Sequence, residues 1–219
     1  MLRPQKQSIV LVGDEEVGKT ALVTSLVYGA GHFRERYRAT DGIDFFAKTL
    51  NVNGREIGLH LWDASGQERF RSIAESYVRS AATLLIVYDV TRRESFNSAE
   101  KWLQQANAAS RASRPLIALL GNKADCANGR EVTLEDGKQR AKELGAHVFA
   151  EASAKTGHHV SSLFEQLATA LMFPATVPLT VGHSHEHDTE DTEDTKDTEE
   201  DVPRKKCMCL ALIRKVQWC

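Results

Sequence analysis

The chain predicts an α/β fold of three layers: a mostly parallel six-stranded sheet with one antiparallel edge hairpin and helices on both faces. Three observations carry this. Strand-like and helix-like segments alternate between residues 8 and 172. Thr83 to Asp89 (TLLIVYD) and Leu116 to Asn122 (LIALLGN) are continuous apolar runs, the pattern of strands buried on both faces of a parallel sheet. Asn53-Gly54 separates two further strand-like segments and favours a type I′ hairpin turn.

Taken in order, Ser8 to Val12 is a short apolar strand running into a Gly-containing loop, and Thr20 to Tyr28 is a helix. Phe45 to Val52 and Glu56 to Asp63 form the hairpin. After the two apolar strands and the helix Ser95 to Ser110 between them come a helix at Leu134 to Leu144, a strand at His147 to Glu151 and a helix at Val160 to Met172. Pro174 and Pro178 stop the last helix. The domain is therefore expected over residues 8–173, between a flexible N-terminus (1–7) and a tail (174–219).

The bulk numbers fit one domain plus a tail. Of 219 residues, 42% are apolar, enough for a packed core, and the net charge of −2 points to no polyanionic partner such as nucleic acid. Residues 1–172 carry 22 Lys/Arg against 20 Asp/Glu, whereas residues 173–219 carry 6 against 10, so the tail is acidic. Residues 186–201, with ten acids, repeated Asp-Thr and no large apolar side chain, are expected to be disordered. Three of the four cysteines lie in the last 13 residues, which suits a reducing compartment better than a disulfide framework. Ser8 to Val12 is too short for a signal peptide, and no run approaches the ~20 apolar residues of a membrane span. A cytoplasmic protein, peripheral on a membrane, is the expectation.

Gly13-Asp-Glu-Glu-Val-Gly-Lys-Thr20 fits G-x-x-x-x-G-K-[ST] between a strand and a helix. In such a loop the backbone amides, here through Glu16, Val17, Gly18 and Ala21, face phosphate; Lys19 reaches the β and γ phosphates and the Thr20 hydroxyl ligates Mg²⁺. Asp63 ends a strand in Trp62-Asp-Ala-Ser-Gly-Gln67, where an acid can hold Mg²⁺ through water, Gly66 permits close approach to the γ phosphate, and Gln67 can orient an attacking water. Asn122-Lys123-Ala-Asp125 follows a buried strand at the carboxyl edge, where open α/β sheets bind ligands. Asp125 can accept from guanine N1–H and the 2-amino group, a donor pair that adenine lacks. Ser153-Ala154-Lys155 follows the last strand, and a backbone amide there could reach guanine O6. Each short motif alone is matched by ordinary turns and caps. Four in order at successive strand ends are not.

With these motifs the chain resembles the Rab branch of the Ras superfamily of small GTPases over residues 7–172. The resemblance extends to Tyr37 to Phe45 (YRATDGIDF), Trp62 to Phe70 with Arg71-Ser72-Ile73, Tyr77-Val-Arg79 and Ile86 to Thr91 (IVYDVT). It implies a P-loop GTPase domain in which Thr40 ligates Mg²⁺ and senses the γ phosphate, Phe33 packs on the guanine, and Phe45, Trp62 and Tyr77 form an effector-facing aromatic triad. Without the resemblance, plain packing would be the reading of that triad. It also implies a monomeric switch in membrane traffic, working with effector proteins, an exchange factor and a GTPase-activating protein, with Lys19, Thr40 and Gln67 serving hydrolysis.

Four features depart from the family. Glu15 and Glu16 stand in the phosphate loop where small or uncharged residues are usual. Pointing inward, Glu15 would crowd Gln67 and slow hydrolysis; pointing outward, both acids cost little. Asp41 replaces an apolar residue beside Thr40, and Ser65 replaces the commoner Ala. The tail places Cys207-Met-Cys209 ahead of ten further residues, lacks a CaaX box and ends on a single Cys219. Prenylation is expected at Cys219 rather than at Cys207 or Cys209, and the basic and apolar residues from Arg204 to Trp218 suit interfacial binding. The run His183-Ser-His-Glu-His187 could bind a transition metal together with Cys207 and Cys209, but flexible polar tracts often contain histidines, which is the preferred reading. Two alternatives stand beside the GTPase: a GTP-dependent binding module with negligible hydrolysis, and an ATP-using P-loop kinase, which Asn122 to Asp125 disfavour.

Overall fold

A computed structural model of the chain describes residues 5–34, 38–67, 76–109, 115–173 and 180–181. The strands are β1 (Gln5–Val12), β2 (Ile43–Val52), β3 (Arg55–Ala64), β4 (Thr83–Asp89), β5 (Leu116–Asn122), β6 (Val148–Glu151) and β7 (Thr180–Val181). They lie side by side in the order β2-β3-β1-β4-β5-β6-β7. β2 and β3 pair antiparallel and all other neighbours pair parallel. The helices are α1 (Lys19–Tyr28), α2 (Arg93–Asn97), α3 (Ala99–Ala109), α4 (Leu134–Glu143) and α5 (Val160–Met172).

Alternation along the strands divides the interior into two cores. Ile9, Leu11, Leu85, Val87 and Leu120 face one side, where Leu22 and Leu26 of α1 and Leu163, Phe164 and Leu167 of α5 cover them. Val10, Val12, Leu84, Ile86 and Leu119 face the other, against Phe96 of α2, Trp102 and Ala106 of α3 and Ala141 of α4. Each large apolar side chain fully withdrawn from water contributes about 1.5–3 kcal/mol. Covering both faces is what makes β4 and β5 apolar at almost every position.

The hairpin turns at Asn53 (φ 52°) and Gly54 (φ 77°), the two positive φ values that a type I′ turn requires. Thr133 opens α4 with a capping box: its hydroxyl accepts from the Asp136 amide and the Asp136 carboxylate accepts from the Thr133 amide.

Beyond shifts of one or two residues at element ends, three features differ from the sequence reading. Residues 5–7, placed in a flexible N-terminus, extend β1, because β3 offers ladder partners from Ile57 to Leu59 below the apolar run; hydropathy does not report polar strand ends. The expected helix from Ser95 is two, α2 and α3, meeting at Ser98, whose backbone remains helical. A seventh strand of two residues, Thr180–Val181, pairs with Val148 and Phe149, beyond the domain end set at Phe173. The remainder of the tail, including the acidic repeat, lies outside the described residues, among which no helix is long and apolar enough to cross a membrane.

Candidate functional site

The carboxyl ends of the parallel strands share one edge of the sheet, and each delivers a polar residue there. β1 runs into the loop Gly13 to Gly18, β3 ends near Asp63, β4 ends on Asp89 and β5 on Asn122. The apolar strands fix their positions, and the polar residues begin where the two cores stop.

Gly18 caps the N-terminus of α1 with φ 92°. A Cβ added there would lie 2.3 Å from Nδ2 of Asn122, so a larger residue would both strain the turn and strike the base motif. Lys19, only 6% exposed, donates from Nζ to the carbonyls of Gly13 and Asp14, both at 2.8 Å. Burial pushes its pKa down to about 8, against the opposing pull of Asp63, Asp14 and Glu15. An anion beside it would restore the ammonium form. Glu16 holds φ 64°, uncommon for a side-chain-bearing residue.

Thr20, Thr40 and Asp63 meet across three segments. Thr20 Oγ1 donates to Asp63 Oδ2 at 2.6 Å, the two threonine hydroxyls are 2.9 Å apart, and Thr40 Oγ1 donates to the same carboxylate oxygen at 3.5 Å. Asp63 is fully buried, its Oδ1 has no hydrogen-bond partner, and burial raises its pKa to about 6. Two hydroxyls and a carboxylate with an orphaned oxygen suit a small hard cation such as Mg²⁺, which takes its other ligands from water and phosphate. Among the described residues, no group of three or more His, Cys, Asp or Glu could hold a metal ion.

Gly66 follows on the Asp63 segment and approaches the phosphate loop closely. A Cβ at Gly66 would sit 2.5 Å from the Glu15 nitrogen and 2.6 Å from the Asp14 carbonyl carbon. Gln67 donates its amide to Ser65 Oγ at 3.2 Å. Ser65 in turn donates its amide to the Gly42 carbonyl at 2.9 Å, which ties the Asp63 and Thr40 segments together.

The base motif is bolted to the phosphate loop. Asn122 Nδ2 donates to the Val17 carbonyl at 2.8 Å, and Asn122 Oδ1 accepts from the Ala154 amide at 3.1 Å. Lys123 holds φ 65° and pairs through Nζ with Asp89 Oδ2 at 2.6 Å. Ser153 Oγ donates to Asp125 Oδ1 at 2.6 Å, which orients a carboxylate that is otherwise exposed.

A cleft of about 970 Å³ runs between these segments. Gly18, Lys19, Thr20 and Ala21 line it with Phe33, Thr40, Gly66 and Lys123. Glu15, Glu16 and Asp41 stand at its walls, all three exposed. Val17 and Asn122 lie behind the loop, and Gln67, Asp125, Ser153, Ala154 and Lys155 are outside the cleft lining. Sequence reasoning did not find the Asp89–Lys123 pair, nor the cleft positions of Tyr28, His32, Arg34 and Arg38. Asp89 was legible only as a polar residue ending an apolar run.

On the outer face of the hairpin, Phe45 and Trp62 have ring centroids 4.7 Å apart, and Trp62 and Tyr77 4.4 Å. Phe45 is 49% exposed, whereas Trp62 and Tyr77 are half-buried and pack against the second core, so the triad runs from that core to the surface. Tyr37, Phe70 to Ile73, the histidines from His183 to His187 and the lipidation candidates Cys207, Cys209 and Cys219 lie outside the described residues. Against known protein families, the model described as Ras family matches residues 8–173.

Proposed function

The chain belongs to the Ras family, and from that premise we propose that it is a Rab-like small GTPase that binds GTP and GDP with Mg²⁺ and hydrolyses GTP to GDP and phosphate. One observation carries this reading: Asn122 joins the phosphate loop, through Val17, to the base-recognition segment, through Ala154. A single buried side chain thus spaces a phosphate subsite from a base subsite. Asp125 selects guanine, and Phe33 covers the base.

Thr20, Thr40 and Asp63 would hold Mg²⁺, which supplies neutralisation of developing phosphate charge when bound. Lys19 and the loop amides hold the β and γ phosphates, and Gln67 orients water. The Ser65–Gly42 hydrogen bond makes the Thr40 and Gly66 segments move together, so loss of the γ phosphate releases both. Effectors read that change at Phe45, Trp62 and Tyr77. The monomeric protein acts on the cytosolic face of an intracellular membrane, held there by its C-terminal tail, in vesicle traffic governed by an exchange factor and an activating protein.

A second reading, a GTP-dependent binding module with negligible hydrolysis, draws support from Glu15, which stands at the cleft wall beside Gly66. Single-turnover hydrolysis by the unsubstituted protein and by Glu15→Gly separates the two. Slow hydrolysis relieved by the substitution favours the second reading; equal rates exclude a role for Glu15.

A further inference from the structure

The phosphate loop carries three successive acids, Asp14, Glu15 and Glu16, where a loop that holds polyphosphate has little use for negative charge. The three are not treated alike. Glu15 and Glu16 are exposed at the cleft wall. Asp14 is half-buried and absent from the cleft lining. Its Oδ1 accepts from Nε1 of Trp102 at 2.8 Å, a contact made across 88 residues of sequence. Trp102 belongs to the α3 core and is 8% exposed, so its indole N–H is a fixed donor.

The next residue is held as well. Arg92, in the loop between β4 and α2, donates from Nη2 to the Glu15 carbonyl. That loop is anchored on both sides. Asp89 takes the Thr91 amide and hydroxyl at 2.8 and 2.7 Å, and Arg93 donates to the Glu131 carbonyl and to Asp136 at 2.6 and 2.9 Å. Arg92 therefore reaches the phosphate loop from a rigid base. Gly66 packs on the adjoining Asp14–Glu15 peptide, between the Asp14 side chain held by Trp102 and the Glu15 carbonyl held by Arg92.

We propose that Trp102 and Arg92 are positioning residues of the phosphate loop: Trp102 keeps the Asp14 carboxylate turned away from the phosphates of a bound guanine nucleotide, and Arg92 fixes the Glu15 peptide beside it. The inference rests on the guanine-nucleotide reading of the cleft. Once released, the Asp14 carboxylate is free to turn toward the phosphates and repel them. The repulsion is greater for GTP, which carries one more phosphate than GDP, and it is screened by salt.

The test is the dissociation rate of fluorescent GDP and of a fluorescent non-hydrolysable GTP analogue from the full chain, with Mg²⁺, at low and high salt. Trp102→Phe keeps the ring packing and removes the N–H. It is expected to speed release of the GTP analogue about three- to tenfold, that of GDP less, and both by less at high salt. In an Asp14→Ala background Trp102→Phe is expected to add nothing, because the carboxylate it restrained is gone. Arg92→Ala is expected to speed release, with Arg92→Lys restoring it, since the acceptor is a carbonyl that any cationic donor satisfies. Unchanged rates in Trp102→Phe, or equal acceleration in both Asp14 backgrounds, would overturn the inference while leaving the nucleotide reading intact. Failure of the unsubstituted protein to bind either nucleotide overturns that reading and the inference with it.

Discussion

Asn122, at the end of β5, donates its side-chain amide to the Val17 carbonyl in the phosphate loop at 2.8 Å. The contact spans 105 residues of sequence, and both groups are buried. It ties the phosphate loop directly to the end of β5. Asn122→Ala removes this hydrogen bond and the one from the Ala154 amide, leaving a buried carbonyl and a buried amide unpaired at about 1–3 kcal/mol each. The expected result is a lower Tm and GDP release at least tenfold faster, measured by thermal unfolding and nucleotide exchange.

Gly66→Ala brings a methyl group to within 2.5 Å of the Glu15 nitrogen. A backbone neighbour cannot rotate aside, so the Asp63–Gly66 segment must withdraw. GDP affinity should change little, because on the proposed reading Gly66 approaches the γ phosphate, which GDP lacks. The difference between GDP- and GTP-bound forms should shrink, as followed by Trp62 fluorescence, and single-turnover hydrolysis should fall by a factor of about 10 or more.

Thr20→Ala removes the hydroxyl that bridges Thr40 and Asp63. If these three oxygens hold Mg²⁺, chelation of the metal should speed GDP release strongly in the unsubstituted protein and only weakly in the variant. Exchange rates with and without chelator measure both.

Asp136 predicts a pH effect on stability alone. The Thr133 amide and the Arg93 guanidinium hold its carboxyl below the usual carboxylate range. A depressed folded-state pKa contributes stability that is complete above the ordinary carboxylate pKa and is lost as pH falls through the lowered value. Asp136→Asn should therefore lower the Tm at neutral pH and narrow its difference from the unsubstituted protein in acid.

Much of the site was legible because its residues sit where apolar strands end. Lys19, Thr20, Asp63 and Asn122 are polar residues ending or following apolar strands, and their spacing from the strand ends places them at the carboxyl edge of the sheet. The contacts among them were less visible. Nothing local marks Asp89 as the partner of Lys123, or Trp102 as the partner of Asp14, because each pair forms only when distant segments pack on one edge of the sheet. The start of β1 at Gln5 was hidden for a related reason: polar residues enter a strand when a neighbour offers a ladder, which composition does not report.

The central claim is that the cleft holds a guanine nucleotide, and it is tested most directly by identifying the nucleotide on protein purified from cells without added ligand. Denaturation followed by ion-exchange chromatography should release GDP or GTP in close to one equivalent, and Asp125→Ala should abolish it. Recovery of an adenine nucleotide, or of none from the folded unsubstituted protein, would contradict the account.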